Sequence, residues 1–359
     1  MKKFLFLGLL VLTSTVAIAQ KPVRVAVAGI THGHVPWILG RKPVGDIELV
    51  GIAESNQELS QRYASRYKLD PKLFYKDLTT MLDQTKPEAV VAFGSIYEHK
   101  AVVEACAPRG IHVMVEKPLS TNVKDAERMA ELSRKHHTLL LTNYETSWYP
   151  SIEKTYQLVM DSTAIGKFKK MVVHTGHEGP KEINVNPEFF EWLTDPVQNG
   201  GGALIDFGCY GANLMTYFMK NEKPLSVTAV THQFKPHMYP KVDDDATIVI
   251  EYPHAQCIVQ ASWNWPYSRK DLEVYGDGGY VITENQEKYK VRSGKKKEEK
   301  RNITKQELPV YDDPFAYFAD LIRGKIKPHP LYSLENNLIV VRILEAARES
   351  AKTGKMVKL

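Results

Sequence analysis

A lysine set in Glu116-Lys117-Pro118, and a spaced trio of Asp206, Tyr210 and Asn213, are the residues of this chain best suited to chemistry. Proline fixes its own φ and disfavours a helical residue before it, so Lys117 is expected to be held in extended geometry. Asp206, Tyr210 and Asn213 lie at i, i+4 and i+7, which one helix would place on one face. Their neighbours are Ala, Leu, Phe and Gly. A polar stripe on such a helix either lines a site or consists of three satisfied core hydrogen-bonders. Together these side chains could move the proton of a bound hydroxyl. A tyrosine of ordinary pKa, about 10, is a poor base at neutral pH, and a nearby ammonium favours its phenolate. Lys117 can supply that charge while Asp206 orients it or the substrate hydroxyl.

A second cluster lies near the start. "VRVAVAGITHGHVPWIL" (23–39) reads as a strand that ends in Gly29, followed by Thr31, His32, Gly33 and His34. A G-x-G-x-x-G turn needs its second glycine for close approach to a pyrophosphate. Here Thr31 stands in that place. Its hydroxyl, His32 or His34, and the N-terminus of a helix expected from Gly33 can meet an anion, or the stretch is a plain strand-turn-helix. Glu54 ends the next strand, where an acid accepts the adenosine ribose hydroxyls and repels a 2′-phosphate. That favours NAD over NADP; the alternative is an ordinary strand-end acid.

Several elements must position these residues. In the first part, strands at 23–28, 47–55, 88–95, 112–118 and 138–143 alternate with helices, a pattern that implies a parallel sheet covered on both faces. After a strand at 167–177 comes a helix expected at 202–220. Strand-like runs then follow in close succession between 225 and 284, which favours an antiparallel sheet. Two helices close the chain, the last with Ser333 as N-cap and Gly354 as C-cap. The expected fold class is α/β: an N-terminal Rossmann domain with a doubly wound parallel sheet, then a C-terminal α/β domain with an open, mostly antiparallel sheet. The expected division is 1–19 as signal peptide, 20–143 as NAD-binding domain and 144–359 as substrate and oligomerisation domain.

With Glu116-Lys117-Pro118 at the end of the fourth strand, the chain resembles the glucose-fructose oxidoreductase / inositol dehydrogenase (Gfo/Idh/MocA) family. The resemblance rests on "YEHKAVVEACAPRGIHVMVEKPLS" (97–120), "NGGGALIDFGCYGAN" (199–213), "GDGGYV" (276–281) and "EAARESAKTGKMVKL" (345–359). It implies a nicotinamide-dependent oxidoreductase with Lys117, Tyr210 and Asp206 catalytic. Gly29, Thr31, His32, Gly33, His34, Glu54, Ser95, His99, Glu116 and Lys117 would hold the cofactor. Gly94 and Ser95 replace the family's usual turn residues, while His99 matches its usual histidine. Many members have histidine where Tyr210 stands; the tyrosine version resembles glucose-fructose oxidoreductase and dihydrodiol dehydrogenase, in which lysine and tyrosine together manage the proton. Asn213 replaces the usual acid and, with His177, Trp192 and Tyr144, is a candidate for substrate contact. For Trp192, Tyr144, Trp148 and Trp263, sugar stacking and core packing remain open. The expected substrate is a small carbohydrate, glycoside or polyol, and the cofactor is NAD, tightly bound as in glucose-fructose oxidoreductase. Two other readings remain: a glycosidase acting through transient oxidation with NAD regenerated each cycle, and a non-catalytic sugar or cofactor binder.

The bulk composition bounds the rest. The 359 residues are 43% apolar and 25% charged, with a net charge of +5. That mild, dispersed charge gives no reason to expect a nucleic-acid partner. The densest basic run, "SGKKKEEKR" (293–301), interleaves acids and reads as a solvated hairpin or loop. "MKK", an apolar run and Ala17-Ile18-Ala19 form an export signal cleaved after Ala19, so a periplasmic protein is expected, with no membrane span. Cys106, Cys209 and Cys257, odd in number and in apolar contexts, read as buried thiols. "HTGHE" (174–178) offers two histidines and one acid without distant partners, so no metal is expected. A homo-oligomer through the C-terminal sheet is expected.

Overall fold

The computed structural model describes residues 21–161, 164–304, 306–308 and 311–359. The expected export signal lies outside the described residues. The first sheet holds β1 (Val23–Ala28), β2 (Ile47–Ala53), β3 (Phe74–Tyr75), β4 (Ala89–Ala92), β5 (His112–Glu116) and β6 (Leu140–Asn143). All are parallel, in the order β3-β2-β1-β4-β5-β6. That order reverses beside β1, and ligands bind at such a switch point, beyond the carboxyl ends of the strands. Alternation along β1 sends Val23, Val25 and Val27 to one core and Ala26 and Ala28 to the other, so both faces are covered.

The intervening helices are α1 (Pro36–Leu39), α2 (Gln57–Tyr67), α3 (Leu78–Thr85), α4 (His99–Cys106) and α5 (Val123–Lys135). Asn56, Asp77 and Asn122 cap α2, α3 and α5 through side-chain oxygens. The expected first helix is a single turn that begins at Pro36, not Gly33. Residues 32–35 are held by local bonds instead: the Val35 amide donates to the His32 carbonyl and the His34 amide to His32 Nδ1. The sequence reading also missed β3 and α3, since a two-residue strand has no period to detect.

The second sheet is built from β7 (Phe168–Gly176), β8 (Ser226–His232), β9 (Asp245–Glu251), β10 (Gln256–Ser262), β11 (Arg269–Gly276), β12 (Gly279–Thr283), β13 (Lys288–Ser293), β14 (Glu299–Asn302) and β15 (Val357–Lys358). Their order is β14-β13-β12-β11-β7-β10-β9-β8-β15, with only β7 and β10 parallel among these pairs. β13 and β14 make the basic run an exposed hairpin. The three cysteines are free and buried.

Helices α6 (Pro150–Tyr156), α7 (Pro187–Leu193), α8 (Ala203–Asp206), α9 (Gly208–Phe218), α10 (Pro314–Ile322) and α11 (Leu334–Thr353) complete the fold. The Ser333 hydroxyl accepts from the Asn336 amide and Gly354 ends α11 at φ 67°. The Val123 amide donates to Glu345 of α11, so the last helix braces the first domain. The helix expected at 202–220 is two helices that meet at Phe207. Its glycine-rich start explains the close approach to the sheet. A Cβ on Gly202 would lie 1.8 Å from the Asp243 carbonyl oxygen, and one on Gly211 2.4 Å from Val259.

Candidate active site

Lys117 follows the carboxyl end of β5 and reaches the second domain, where its ammonium pairs with the Asp206 carboxylate and also donates to the Asp206 carbonyl at 3.0 Å. The Lys117–Pro118 peptide is cis. Trp263 Nε1 donates to the other Asp206 oxygen at 3.0 Å. All three side chains are buried. Burial opposes the charge on Lys117, but the Asp206 carboxylate outweighs it and holds the ammonium above its ordinary range. Burial likewise opposes charge on Asp206, and Lys117 holds that carboxyl below its ordinary range. The pair is therefore ionised, with both oxygens of Asp206 satisfied.

Tyr210 stands beside this pair, but the expected phenolate does not follow. The Lys117 ammonium lies 5.2 Å from the centre of the ring, its charge committed to Asp206. Burial pushes the phenol well above its ordinary value, and the carboxylates of Glu145, Asp206 and Glu116 add to the push. Tyr210 is a neutral phenol, hence a donor. Among the described residues no group hydrogen-bonds to its hydroxyl. Tyr144 packs edge-on against the ring at 5.6 Å and Phe207 at 6.1 Å.

His177 is a third donor. Its Nδ1 accepts the Gly179 amide at 2.9 Å, so in the neutral imidazole Nε2 carries the proton. Burial lowers its pKa, which keeps it neutral. Asp206, Lys270 and Lys117 are close enough to act on it electrostatically.

Two neighbours were not foreseen. Lys270, on β11, lies 5.6 Å from the Tyr210 ring centre and pairs with Glu145, which also takes the Tyr149 hydroxyl. An alternating strand residue and a loop acid carry no signal in a single sequence. Only the register of Lys270 against Thr175 of β7 brings it over the site.

Behind Lys117, Glu116 is buried at the centre of a network. It accepts from Asn143 at 2.8 Å and from His34 Nδ1 at 3.0 Å. Trp148 Nε1 in turn holds Asn143 at 2.9 Å. Burial opposes its charge, but the imidazoles of His34 and His32 and these hydrogen bonds draw the carboxyl down to about 2. The ligand atoms of His32, His34 and Glu116 lie within 4.8 Å of one another, which suggests a metal. The tautomer argues otherwise. His32 Nδ1 accepts the His34 amide, so Nε2 bears the proton and faces Glu116 at 3.9 Å as a donor.

The glycine loop borders a cleft of about 750 Å³ lined by Gly29, Thr31, Glu54, Ser95, His99 and Trp192 among others. Gly29, at φ 73°, packs so closely that a Cβ would lie 2.8 Å from the Gly94 amide. Glu54 accepts the Ile30 and Asn56 amides at 3.2 and 2.8 Å. Burial raises its pKa. His99 donates through Nδ1 to the Leu119 carbonyl at 3.1 Å and so steadies the loop after Pro118. Burial takes its pKa down to about 4.

Other expected contacts change place. Trp192 donates to the Thr31 hydroxyl at 3.0 Å, and that hydroxyl reaches the Phe93 carbonyl at 3.4 Å. Phe189 lies against His32 and Gly33. Ser95 donates to Gln198 at 2.7 Å. The segment 186–198 thus bridges the cleft from the second domain. Asn213 also leaves the site: its amide donates to the Leu331 carbonyl at 2.9 Å in the core beside α11. The break at Phe207 turns it from the face of Asp206.

A nicotinamide dinucleotide fits these features. The cleft is of small-molecule size. Gly29 lets a ligand approach the backbone, and Glu54, just past the end of β2, lines the same cleft. With one turn in α1, loop amides and not a helix end would meet the pyrophosphate.

Comparison with known proteins agrees. Residues 23–144 match the model of the oxidoreductase family with NAD-binding Rossmann fold, and residues 154–282 the GFO/IDH/MocA C-terminal domain. Trans-1,2-dihydrobenzene-1,2-diol dehydrogenase of Xenopus tropicalis is 28% identical over 60% of this chain and 60% of its own length. The Xenopus laevis enzyme of that name is 25% identical over 87% of this chain and 92% of its own. D-xylose 1-dehydrogenase [NADP(+)] of Haloarcula marismortui is 22% identical over 95% and 94%. In fold, an inositol dehydrogenase homologue from Azotobacter vinelandii, solved with NAD+, superposes with a TM-score of 0.83 at 18% identity, covering 94% of this chain and 98% of that one. With both domains matched, this chain belongs to the Gfo/Idh/MocA family of NAD-binding oxidoreductases.

Proposed function

We propose that this protein interconverts a hydroxyl and a carbonyl on a sugar, glycoside or polyol, using a nicotinamide cofactor and Lys117 as the proton carrier. The observation that carries this reading is the buried Lys117–Asp206 pair, which ties the carboxyl end of β5 in the parallel sheet to α8 of the second domain. The cofactor, when bound, supplies or accepts the hydride. Gly29, Glu54, Ser95 and the loop amides hold it. In reduction, the ammonium of Lys117 donates to the carbonyl oxygen, and the amine left behind is recharged from solvent. In oxidation, neutral Lys117 takes the hydroxyl proton. Tyr210 and His177, both donors, hold the reacting oxygen and stabilise its developing negative charge. Glu116 and its network hold the strand end that carries Lys117.

Glu54 supports NAD over NADP, and segment 186–198 supports slow cofactor release. The test is Lys117→Met: hydride transfer should fall about 10²-fold or more while the cofactor still binds. Undiminished turnover would overturn the assignment. Stoichiometric NADH formation from sugar distinguishes this reading from a glycosidase that returns its hydride each cycle. Ala17-Ile18-Ala19 supports export to the periplasm, tested by N-terminal analysis of the mature protein. A homo-oligomer is supported by the apolar stripe Val172, Ile258 and Val249, paired across three strands and half-buried. Analytical ultracentrifugation tests it.

A further inference from the structure

A second cavity, of about 590 Å³, opens on the far side of the Glu145–Lys270 pair. Trp37, Trp148, Tyr149, Glu145, Gln286 and Asp313 line it, together with Phe315 and its neighbours. Two walls are shared with the chemistry. Glu145 faces the cavity and holds Lys270 over the Tyr210 ring. Trp37 stacks on His34, at 3.9 Å and 10°, and His34 donates to the Glu116 that precedes Lys117.

The lining has a definite chemical character. Trp148 is fixed by stacking on Tyr332 at 4.4 Å, as Trp37 is on His34. Both indoles are therefore rigid surfaces. Glu145 pairs with Lys270 and takes the Tyr149 hydroxyl, and Asp313 pairs with Arg41 and accepts the Phe315 and Ala316 amides, which leaves each carboxylate acceptor capacity for a hydroxyl. Rigid aromatic surfaces beside carboxylates and an amide suit a ring with apolar C–H faces and hydroxyl edges. The carboxylates repel an anionic sugar. A neutral second ring fits, and a uronate does not.

We propose that this cavity is a subsite for the second ring of a neutral glycoside whose first ring reacts between Lys117 and Tyr210. The proposal rests on the oxidoreductase reading above, which places the reacting ring. It makes a disaccharide or other glycoside, and not a free monosaccharide, the better ligand.

Gln286 gives the test, because it sits exposed in the turn between β12 and β13, away from the reacting groups. Gln286→Trp narrows the cavity, and Gln286→Ala leaves it open. The full-length protein, loaded with NAD, is titrated calorimetrically with glucose and with maltose, cellobiose and gentiobiose. NADH formation from each sugar is followed separately. At least one disaccharide should bind about tenfold tighter than glucose or better, a difference of about 1.4 kcal/mol. Gln286→Trp should remove that margin and leave glucose binding unchanged, and Gln286→Ala should keep most of it. The proposal is overturned if no disaccharide exceeds glucose, or if the margin survives Gln286→Trp. A margin that behaves as expected while no sugar yields NADH would keep the subsite and overturn the redox reading instead.

Discussion

Asp206→Asn tests the proton assignment most directly. The substitution keeps the shape of the side chain and removes its charge. A charge pair at contact, at an effective dielectric constant of about 20, is worth on the order of 4 kcal/mol, or roughly 10³ in a protonation equilibrium. Asn also has one acceptor oxygen where Asp206 serves both Lys117 and Trp263. Without the carboxylate, burial alone acts on Lys117, and burial disfavours the ammonium. In the starting protein Lys117 is raised, so oxidation, which needs the amine, should climb with pH into the alkaline range. In the variant that climb should begin at distinctly lower pH, and reduction at neutral pH should fall. Stability follows the same signs. The raised lysine contributes below its unfolded pKa and loses that contribution as pH rises through its folded value. The depressed Asp206 contributes above its unfolded pKa and loses it as pH falls. The pair's contribution is thus present across neutral pH, and Asp206→Asn should lower Tm there. The assay is initial rate against pH in both directions, with circular dichroism to verify the fold. Coincident oxidation profiles for the two proteins would refute Lys117 as the carrier.

Tyr210→Phe should retain cofactor binding and lose about 10²-fold in turnover, the scale of a positioned proton donor, measured by steady-state kinetics. Glu54→Ala should narrow the preference for NAD over NADP in paired titrations; equal affinities before substitution would count against the ribose assignment. Trp192→Phe removes the bond to Thr31 from the segment over the cleft and should speed cofactor dissociation, read by displacement of bound NADH fluorescence.

The parallel sheet was legible because β1, β4 and β5 are short and predominantly apolar and alternate with helical segments. Lys117 was legible because Pro118 follows it at the end of an apolar strand and because Glu116-Lys117-Pro118 carries the family resemblance. Asn213 was misread for a definite reason. An i, i+4, i+7 spacing assumes one unbroken helix, and the chain turns at Phe207 to pass the sheet closely at Gly211. Trp192 stayed open between sugar stacking and core packing because an indole facing a sugar and an indole facing a loop hydroxyl look alike in sequence. Lys270 and Glu145 were absent from the reading because they meet through strand register and a loop 125 residues away.

The protonation states of the site give it a direction. Lys117 is an ammonium, Tyr210 a neutral phenol and His177 an imidazole with its proton on Nε2. The Lys117 ammonium lies 5.2 Å from the Tyr210 ring centre, and His177 feels the charges of Asp206 and Lys117. Asp206 is the carboxylate among them, and both its oxygens are already engaged. Such a site binds an oxygen that is gaining negative charge, which is the oxygen of a carbonyl receiving hydride. The same groups serve the reverse reaction, but only in the fraction of protein whose Lys117 has lost its proton. On the proposed assignment of Lys117, the resting site near neutral pH is arranged for reduction, and oxidation draws on a minority state that grows as pH rises. A carbonyl product, or a carbonyl substrate analogue, should accordingly bind more tightly than the matching alcohol at neutral pH, and the margin should close as Lys117 titrates. Equal affinity for alcohol and carbonyl across the range would mean that these donors do not meet the reacting oxygen.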